Sequence, residues 1–496
     1  MIKKILIANR GEIAVRIIRA CRELGIRTVA LFSTSDRFAL HTQFADEAIE
    51  IGPPSPLESY LNIDKIIRIA KKTNSDAVHP GYGFLAENYA FAKRCCDEGF
   101  IFIGPSPKAL KLVGDKIAAR NTVKKAGGPI IPGMTVSSRD KNFFKKRAKE
   151  IGYPVLVKAS MGGGGKGMRV VDNDKSLLEA LDAGRREAKS AFGDDTVYLE
   201  KYINKPRHIE FQIIGDNSGN LIHLFERECS IQRRYQKIVE ESPSPALDES
   251  LRKKMSDAAV KIARAVGYSN AGTVEFLLDK NKNFYFLEVN ARLQVEHPVT
   301  ELITGIDLVE QQIRIASGEK LQIGQTDIYQ RGHAIEARIY AEDTQNNFLP
   351  SPGKVIYYEE PKGPGIRVDS GIYEGFNVSP FYDPILSKLI VYAETRDAAI
   401  NKMVNALTDY SIIGIKTTIP FLLRIFKSPH FIKGNLNTSF ISEHKDDLKI
   451  EKKRYLYEAL AAYGIFSFSK RKSSYVEKGK GIEPVWESIG AWRLGE

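Results

Sequence analysis

The stretch KILIANRGEIAVRIIRACRELGIRTVALF, Lys4 to Phe32, sets the architecture. Lys4 to Ala8 is a short apolar run suited to a buried parallel strand. The turn Asn9-Arg10-Gly11-Glu12 follows. Ile13, Ile17, Ala20, Cys21 and Leu24 then recur at helical spacing, and Gly25 stops the helix. Thr28 to Phe32 begins the next strand. Strand, turn, helix and strand in about thirty residues describe an open parallel sheet with crossover helices. The same alternation continues to about Gly114.

Beyond it the pattern changes. Around 130–203, Tyr153 to Ser160 reads as a strand and Met168 to Val171 as its return, with Gly162-Gly-Gly-Gly-Lys-Gly167 between them. Glycine loses the most backbone freedom on ordering, so this unit reads as a small mobile lid. A larger mixed region with several strands spans about 204–445. Glu451 to Phe466 has a helical pattern, Ser467 to Gly481 is basic and polar like a linker, and Pro484 to Glu496 holds both tryptophans. A length of 496 residues suits roughly three domains. No repeat of solenoid period is present.

Composition narrows the class. Lys and Arg number 73 against 61 Asp and Glu, for a net charge of +12. The cations are scattered, not blocked, except near the C-terminus. Anionic small molecules account for them as well as nucleic acid does. No apolar run approaches the ~20 residues of a membrane span. The N-terminus leads straight into a core strand and lacks a signal-peptide pattern. Cys21, Cys95, Cys96 and Cys229 form no Cys-x-x-Cys pair and no metal-ligand cluster. A reduced, cytoplasmic protein is expected, bound neither to membrane nor to nucleic acid.

The strongest chemical signal is a pair of carboxylates. Gly272 to Leu278 and Phe284 to Val289 are strand-like runs joined by Lys280-Asn-Lys-Asn283. In a hairpin symmetric about that turn, paired residue numbers sum to 563. Glu275 then faces Glu288, and Asn290 lies on the same face. Phe276, Leu278, Tyr285 and Leu287 point the other way. Two like charges opposed across strands are destabilising. A hard divalent cation such as Mg²⁺ or Mn²⁺ removes that penalty. A solvated hairpin face is the competing reading, and a one-residue slip abolishes the pairing.

The glycine run is the second signal. Its backbone N–H groups can approach phosphate oxygens, with Lys166 and Lys158 adding charge. It does not follow the first strand, as a dinucleotide-binding loop must, and it is no P-loop. A surface turn competes. The third signal is Glu288-Val-Asn-Ala-Arg-Leu-Gln-Val-Glu-His297. If the chain stays extended past Asn290, Arg292, Gln294 and Glu296 share a side. There Arg292 and Gln294 can hold a small oxyanion while Glu296 takes a proton. A polar loop with Arg292 paired to Glu296 is the alternative.

These stretches resemble biotin carboxylase, within the ATP-grasp superfamily, over nearly all of residues 1–445. Ile-Ala-Asn-Arg-Gly-Glu-Ile-Ala (7–14), His79-Pro-Gly-Tyr-Gly-Phe-Leu-Ala-Glu-Asn88 and Met-Gly-Gly-Gly-Gly-Lys-Gly-Met (161–168) carry the likeness. So do Glu-Lys-Tyr-Ile (200–203), Gln-Arg-Arg-Tyr-Gln-Lys (232–237) and Asn-Ala-Arg-Leu-Gln-Val-Glu-His-Pro-Val-Thr-Glu (290–301). The resemblance implies an α/β and α+β multidomain fold. A Rossmann-like N-terminal domain would occupy 1–114, a linker 115–130 and an ATP-grasp lid 131–203. The ATP-grasp core and the biotin carboxylase C-terminal domain would fill 204–445, with an extension over 446–496.

The resemblance also implies roles. Lys116 and Lys158 would meet ATP phosphates and Gly164 and Gly165 close over them. Glu200, Lys201, Tyr202 and Ile203 would hold adenine, partly through backbone. His208 and Gln232 would meet the ribose. Glu275, Glu288 and Asn290 would ligate Mg²⁺ or Mn²⁺. Lys237, Arg292, Gln294 and the Val295 backbone would hold bicarbonate, with Glu296 as base. Arg338 would stabilise the biotin enolate, near Tyr82. Where the family commonly has histidine this chain has Tyr235, which can still hydrogen-bond a ribose hydroxyl. No Met-Lys-Met-like biotin-accepting segment is present. Biotin is therefore expected on a separate carrier chain, with a separate carboxyltransferase and a homodimeric carboxylase. The likeness leans toward the biotin carboxylase subunit of two-subunit pyruvate carboxylases, over that of acetyl-CoA or propionyl-CoA carboxylase. Another ATP-grasp ligase, or a non-catalytic nucleotide- or nucleic-acid-binding protein, are the rivals.

Overall fold

The computed structural model describes residues 2–134, 138–160, 168–450 and 460–466. The glycine run with Gly164, Gly165 and Lys166, the residues 451–459, the basic linker and both tryptophans lie outside them. Residues 1–449 form one compact unit and 450–496 another; in the latter, 460–466 are helical.

Strand β1 (Lys4–Ile7) is wholly buried. The helix Gly11–Glu23 buries Ile13, Ile17, Ala20 and Cys21, four of the five positions its spacing marks; the fifth, Leu24, is its C-cap and half-buried. Gly25, at φ +69, ends it. Then come β2 (Arg27–Ser33), β3 (Glu47–Gly52), β4 (Ala77–His79) and β5 (Ile101–Phe102). They pair in parallel in the order β3-β2-β1-β4-β5. Strand order reverses between β1 and β4, and a crevice opens beyond their carboxyl ends. Asn9 closes one side of it. Its Nδ2 donates to the carbonyls of Pro80 and Tyr82, both at 2.7 Å. Gly81 passes so close that a Cβ there would stand 2.8 Å from the Asn9 amide. The loop after β1 thereby fixes the loop that carries Tyr82.

The lid is a three-stranded antiparallel sheet of β6 (Val155–Ala159), β7 (Arg169–Val171) and β8 (Val197–Lys201), ordered β7-β6-β8. The helices Lys141–Ile151 and Asp174–Phe192 belong to it. Phe144, Val155, Val157, Leu177, Leu181 and Leu199 give it a separate hydrophobic core.

The third layer is one antiparallel sheet of eight strands. It contains β9 (Arg207–Gly215), β10 (Leu221–Arg233), β11 (Gln236–Ser242), β12 (Asn270–Leu278), β13 (Phe284–Asn290) and β14 (His333–Tyr340). The strands Ile385–Ala393 and Ile366–Ser370 complete it, in the order β13-β12-β9-β10-β11-β14 and then those two. Ile209, Phe211 and Ile213 of β9 join Met255 and Ala259 of the helix Glu249–Ala265 in the main core. Alternation sends His208, Glu210 and Gln212 to the opposite face, where they too are buried. Buried polar side chains need partners, and these set out the site. Among the described residues no helix is long and apolar enough to cross a membrane.

Candidate active site

A cavity of about 1320 Å³ lies between the N-terminal crevice, the lid and the polar face of the large sheet. It is lined by every site residue the sequence singles out among the described ones except Glu296: Tyr82, Lys116, Lys158, Glu200, Lys201, Tyr202, Ile203, His208, Gln232, Tyr235, Lys237, Glu275, Glu288, Asn290, Arg292, Gln294, Val295 and Arg338. Glu296 lies just beneath, fully buried. Gly164 and Gly165 are outside the described residues.

The hairpin of β12 and β13 places Glu275 opposite Glu288, Val274 opposite Val289 and Thr273 opposite Asn290, as a sum of 563 requires. Nearer the turn the register slips: Phe276 faces Phe286 and Leu278 faces Phe284. A β-bulge between Glu275 and Phe276 takes up one residue, so the hairpin is not symmetric throughout. Leu287 lines the cavity instead of pointing away from it. The turn is built on Asp279, whose carboxylate accepts from the backbone N–H of Asn281 (2.8 Å) and Asn283 (2.9 Å).

Lys237 is the hub. Its ammonium donates to Glu210 (2.5 Å), Glu275 (2.7 Å) and Glu296 (2.7 Å). Burial opposes its charge, but these three carboxylates hold its pKa well above the ordinary lysine value. Burial pushes the glutamates up. Lys237 with His208 outweighs that at Glu275, and Lys237 with Arg338 and Arg227 outweighs it at Glu296, so both stay well below the usual range. Glu210 goes the other way, raised by burial and by Glu296. Arg227, fully buried, holds it from the other side at 2.5 Å and also reaches Gln212, Thr273 and Thr300. Glu210 and Arg227 escaped sequence reading. The His208-x-Glu210-x-Gln212 alternation on β9 was the signal available.

The chain does not stay extended past Asn290. It leaves β13, and Glu296 becomes the residue before the helix His297–Thr304. Arg292 does not pair with Glu296. It binds Glu87 (2.9 Å), Gln294 (2.8 Å) and Asn290 (3.1 Å). Gln294 in turn donates to Glu275 at 3.2 Å. Arg338 grips Glu296 at 2.9 Å with Nη2 and Glu240 at 2.7 Å with Nε. Burial lifts Glu240 to about 7 despite that arginine.

On the lid side, Lys158 is buried and bonded to Glu200 at 3.0 Å, with Arg120 on the other Glu200 oxygen at 2.5 Å. Burial raises the Glu200 pKa, but Lys158 and Arg120 bring it below the usual value. The Lys201 ammonium is turned away, onto the carbonyls of Gly152 and Tyr153 at 2.9 Å each. Lys116 stands 3.1 Å from Glu288. His208 bridges Gln232 (2.6 Å) and Glu275 (3.0 Å). Tyr235 is half-exposed on the two-residue turn of β10 and β11, where Arg234 (φ +50) and Tyr235 (φ +67) are both left-handed. The Tyr82 hydroxyl donates to Glu12.

A lid over an antiparallel sheet, with opposed carboxylates and lysines facing one cavity, defines an ATP-grasp enzyme. Residues 115–324 match the family described as "Carbamoyl-phosphate synthase L chain, ATP binding domain". Residues 1–110 match "Biotin carboxylase, N-terminal domain", and 336–443 "Biotin carboxylase C-terminal domain". The chain belongs to the biotin carboxylase family. It is 53% identical to a pyruvate carboxylase subunit of Methanothermobacter thermautotrophicus, over 92% of this chain and 93% of that one. It is 54% identical to the biotin carboxylase of a Nostoc species, over 89% and 98%. The biotin carboxylase domain of Hydrogenobacter thermophilus 2-oxoglutarate carboxylase, solved as a dimer with MgADP, ADP and bicarbonate, superposes with a TM-score of 0.89 at 48% identity, covering 91% of this chain and all of that one.

Proposed function

We propose that this chain carboxylates carrier-bound biotin with bicarbonate at the expense of ATP, as the biotin carboxylase subunit of a pyruvate carboxylase. One observation carries the chemistry: a fully buried carboxylate, Glu296, is held between a lysine and an arginine on the wall of a nucleotide-sized cavity.

Adenine would rest against Glu200, Lys201, Tyr202 and Ile203, and the ribose near His208, Gln232 and Tyr235. Lys116 and Lys158 would face the phosphates, with Gly164 and Gly165 above. Glu275, Glu288 and Asn290 fit Mg²⁺ or Mn²⁺, since they offer carboxylate and amide oxygens and Glu288 already faces a cation, Lys116, at 3.1 Å. A metal held by these residues would supply positive charge against the phosphates. Lys237, Arg292, Gln294 and the Val295 backbone would hold bicarbonate. Its negative charge draws Lys237 and Arg338 off Glu296, which frees that carboxylate to accept the bicarbonate proton. Bicarbonate oxygen attacks the γ-phosphorus, ADP leaves, and carboxyphosphate forms. It splits to CO₂ and phosphate, and phosphate takes the ureido proton. Arg338 would hold the enolate charge as nitrogen captures CO₂, with Tyr82 near the ureido ring.

The family division into an N-terminal domain (1–114), a linker (115–130), a lid (131–203), a core with C-terminal domain (204–445) and an extension (446–496) is adopted with this reading. Carrier and carboxyltransferase are placed on separate chains, and the carboxylase is placed in the cytoplasm as a homodimer. The Methanothermobacter relative, named for pyruvate carboxylase, supports pyruvate as acceptor; relatives named for methylcrotonoyl-CoA carboxylase favour an acyl-CoA. The test is ADP release from ATP with and without bicarbonate and free biotin. Release that ignores biotin refutes the proposal. The biotinylated chain that copurifies, assayed with pyruvate and with acyl-CoAs, decides the acceptor.

A further inference from the structure

A further buried ion pair adjoins this site, and one of its members, Glu12, lines the cavity. Glu12, in the first turn of the helix Gly11–Glu23, and Lys388, on the strand Ile385–Ala393, are 376 residues apart, and both are buried. The Lys388 ammonium stands 3.3 Å from Glu12 Oε2 and donates to the Val295 carbonyl at 3.0 Å. The other Glu12 oxygen accepts from the Tyr82 hydroxyl. Lys388 is also the direct cross-strand neighbour of Arg338. Two cations at such a position repel unless each has its own anion. Arg338 has Glu240 and Glu296; Lys388 has Glu12, with Asp369 at 3.7 Å.

We propose that Glu12 and Lys388 are positioning residues that couple the two substrate subsites, holding Tyr82 on the biotin side and the Val295–Glu296 peptide on the bicarbonate side. The inference rests on the carboxylase reading above. The peptide plane that Lys388 fixes carries the Val295 carbonyl and the Glu296 N–H, so it sets where the base begins. The Glu12 charge orders Tyr82 and cancels the second cation beside Arg338. A buried pair that merely fastened the N-terminal helix to the sheet would need neither the hydrogen bond to Tyr82 nor the one to Val295.

The pair is open to pH. Burial lifts Glu12 to about 7, against the pull of Lys388. Facing the pair are Tyr82 from its loop, Asp369 and Arg367 from the neighbouring strand, Glu336 of β14 and His297 of the helix His297–Thr304. Glu12 is ionised above about 7 and loses its charge as pH falls through that value.

The test uses the full chain and free biotin, with ADP release measured from pH 6 to 8.5. Glu12→Gln keeps shape and acceptor oxygen but cannot ionise. Its KM for biotin rises about tenfold, the scale of a hydrogen bond to a charged group, while KM for ATP stays within about twofold. Its biotin-dependent kcat/KM falls less steeply than that of wild type as pH drops through 7, the remaining fall belonging to Glu240, which burial also lifts to about 7 beside Arg338. The double variant Glu12→Gln, Lys388→Met leaves no orphan charge to unfold the chain. With Val295 freed, its KM for bicarbonate rises as well. If wild type is stimulated by biotin and Glu12→Gln keeps both the wild-type biotin KM and the acid limb, the pair only fastens the fold and the inference fails. If wild type ignores biotin, the carboxylase reading falls first and takes the inference with it.

Discussion

Glu296→Gln separates the proposed proton acceptor from the scaffold. The side chain is fully buried, and each oxygen takes a bond from a cation, Lys237 at 2.7 Å and Arg338 at 2.9 Å. Glutamine fills the same volume. Its oxygen can serve one cation, but its NH₂ then faces the other. One mismatched buried donor costs about 1–3 kcal/mol. Lys237 keeps Glu210 and Glu275, and Arg338 keeps Glu240, so no cation is stranded. With an unfolding entropy of about 2.1 cal/mol/K per residue, a body of roughly 450 residues loses about 1–3 °C in Tm. Activity falls much further. Loss of a general base costs about 10²–10⁴-fold in rate, and no other carboxylate is free. Glu210 and Glu275 are tied to Lys237, and Glu240 to Arg338. Bicarbonate-dependent ADP release should drop by that factor, with nucleotide affinity within about threefold, because Glu296 is fully buried and does not itself line the cavity. Turnover within tenfold of wild type, or an equal loss of ATP binding, would refute the assignment of Glu296 as base.

Other perturbations reach other parts of the site. Glu288→Gln should raise the Mg²⁺ concentration for half-maximal activity at least about tenfold, a scale set by one lost charged ligand; an unchanged Mg²⁺ titration removes Glu288 from the metal set. Arg338→Gln should cut biotin-dependent turnover about 10²-fold while bicarbonate-dependent ATP cleavage without biotin falls far less; equal loss of both would place Arg338 in the first half-reaction. Tyr235→His, on a half-exposed turn, should lower KM for ATP by about two- to fivefold, the worth of one modest hydrogen bond, with Tm unchanged; a rise in KM would show that tyrosine is the better partner here.

Much of this was legible in the sequence because it is local. Strand β1, the Gly11–Glu23 helix and the stop at Gly25 follow from spacing within thirty residues. The Glu275–Glu288 pairing follows from alternation across a short turn, which a few residues of chain can specify. The β-bulge beside Glu275 left no local mark, and neither did the departure of the chain from the strand after Asn290. Both arise where the hairpin must fit β9 and the helix His297–Thr304. The partners of the central charges were beyond reach for the same reason. Glu210, Lys237, Glu296 and Arg338 come from four elements, and Glu12 and Lys388 from opposite ends of the unit. A charge in a chain records its sign and its neighbours along the backbone. Which carboxylate it meets, how far water is excluded, and hence which groups stay ionised, are decided only when the sheet and the crevice close on each other.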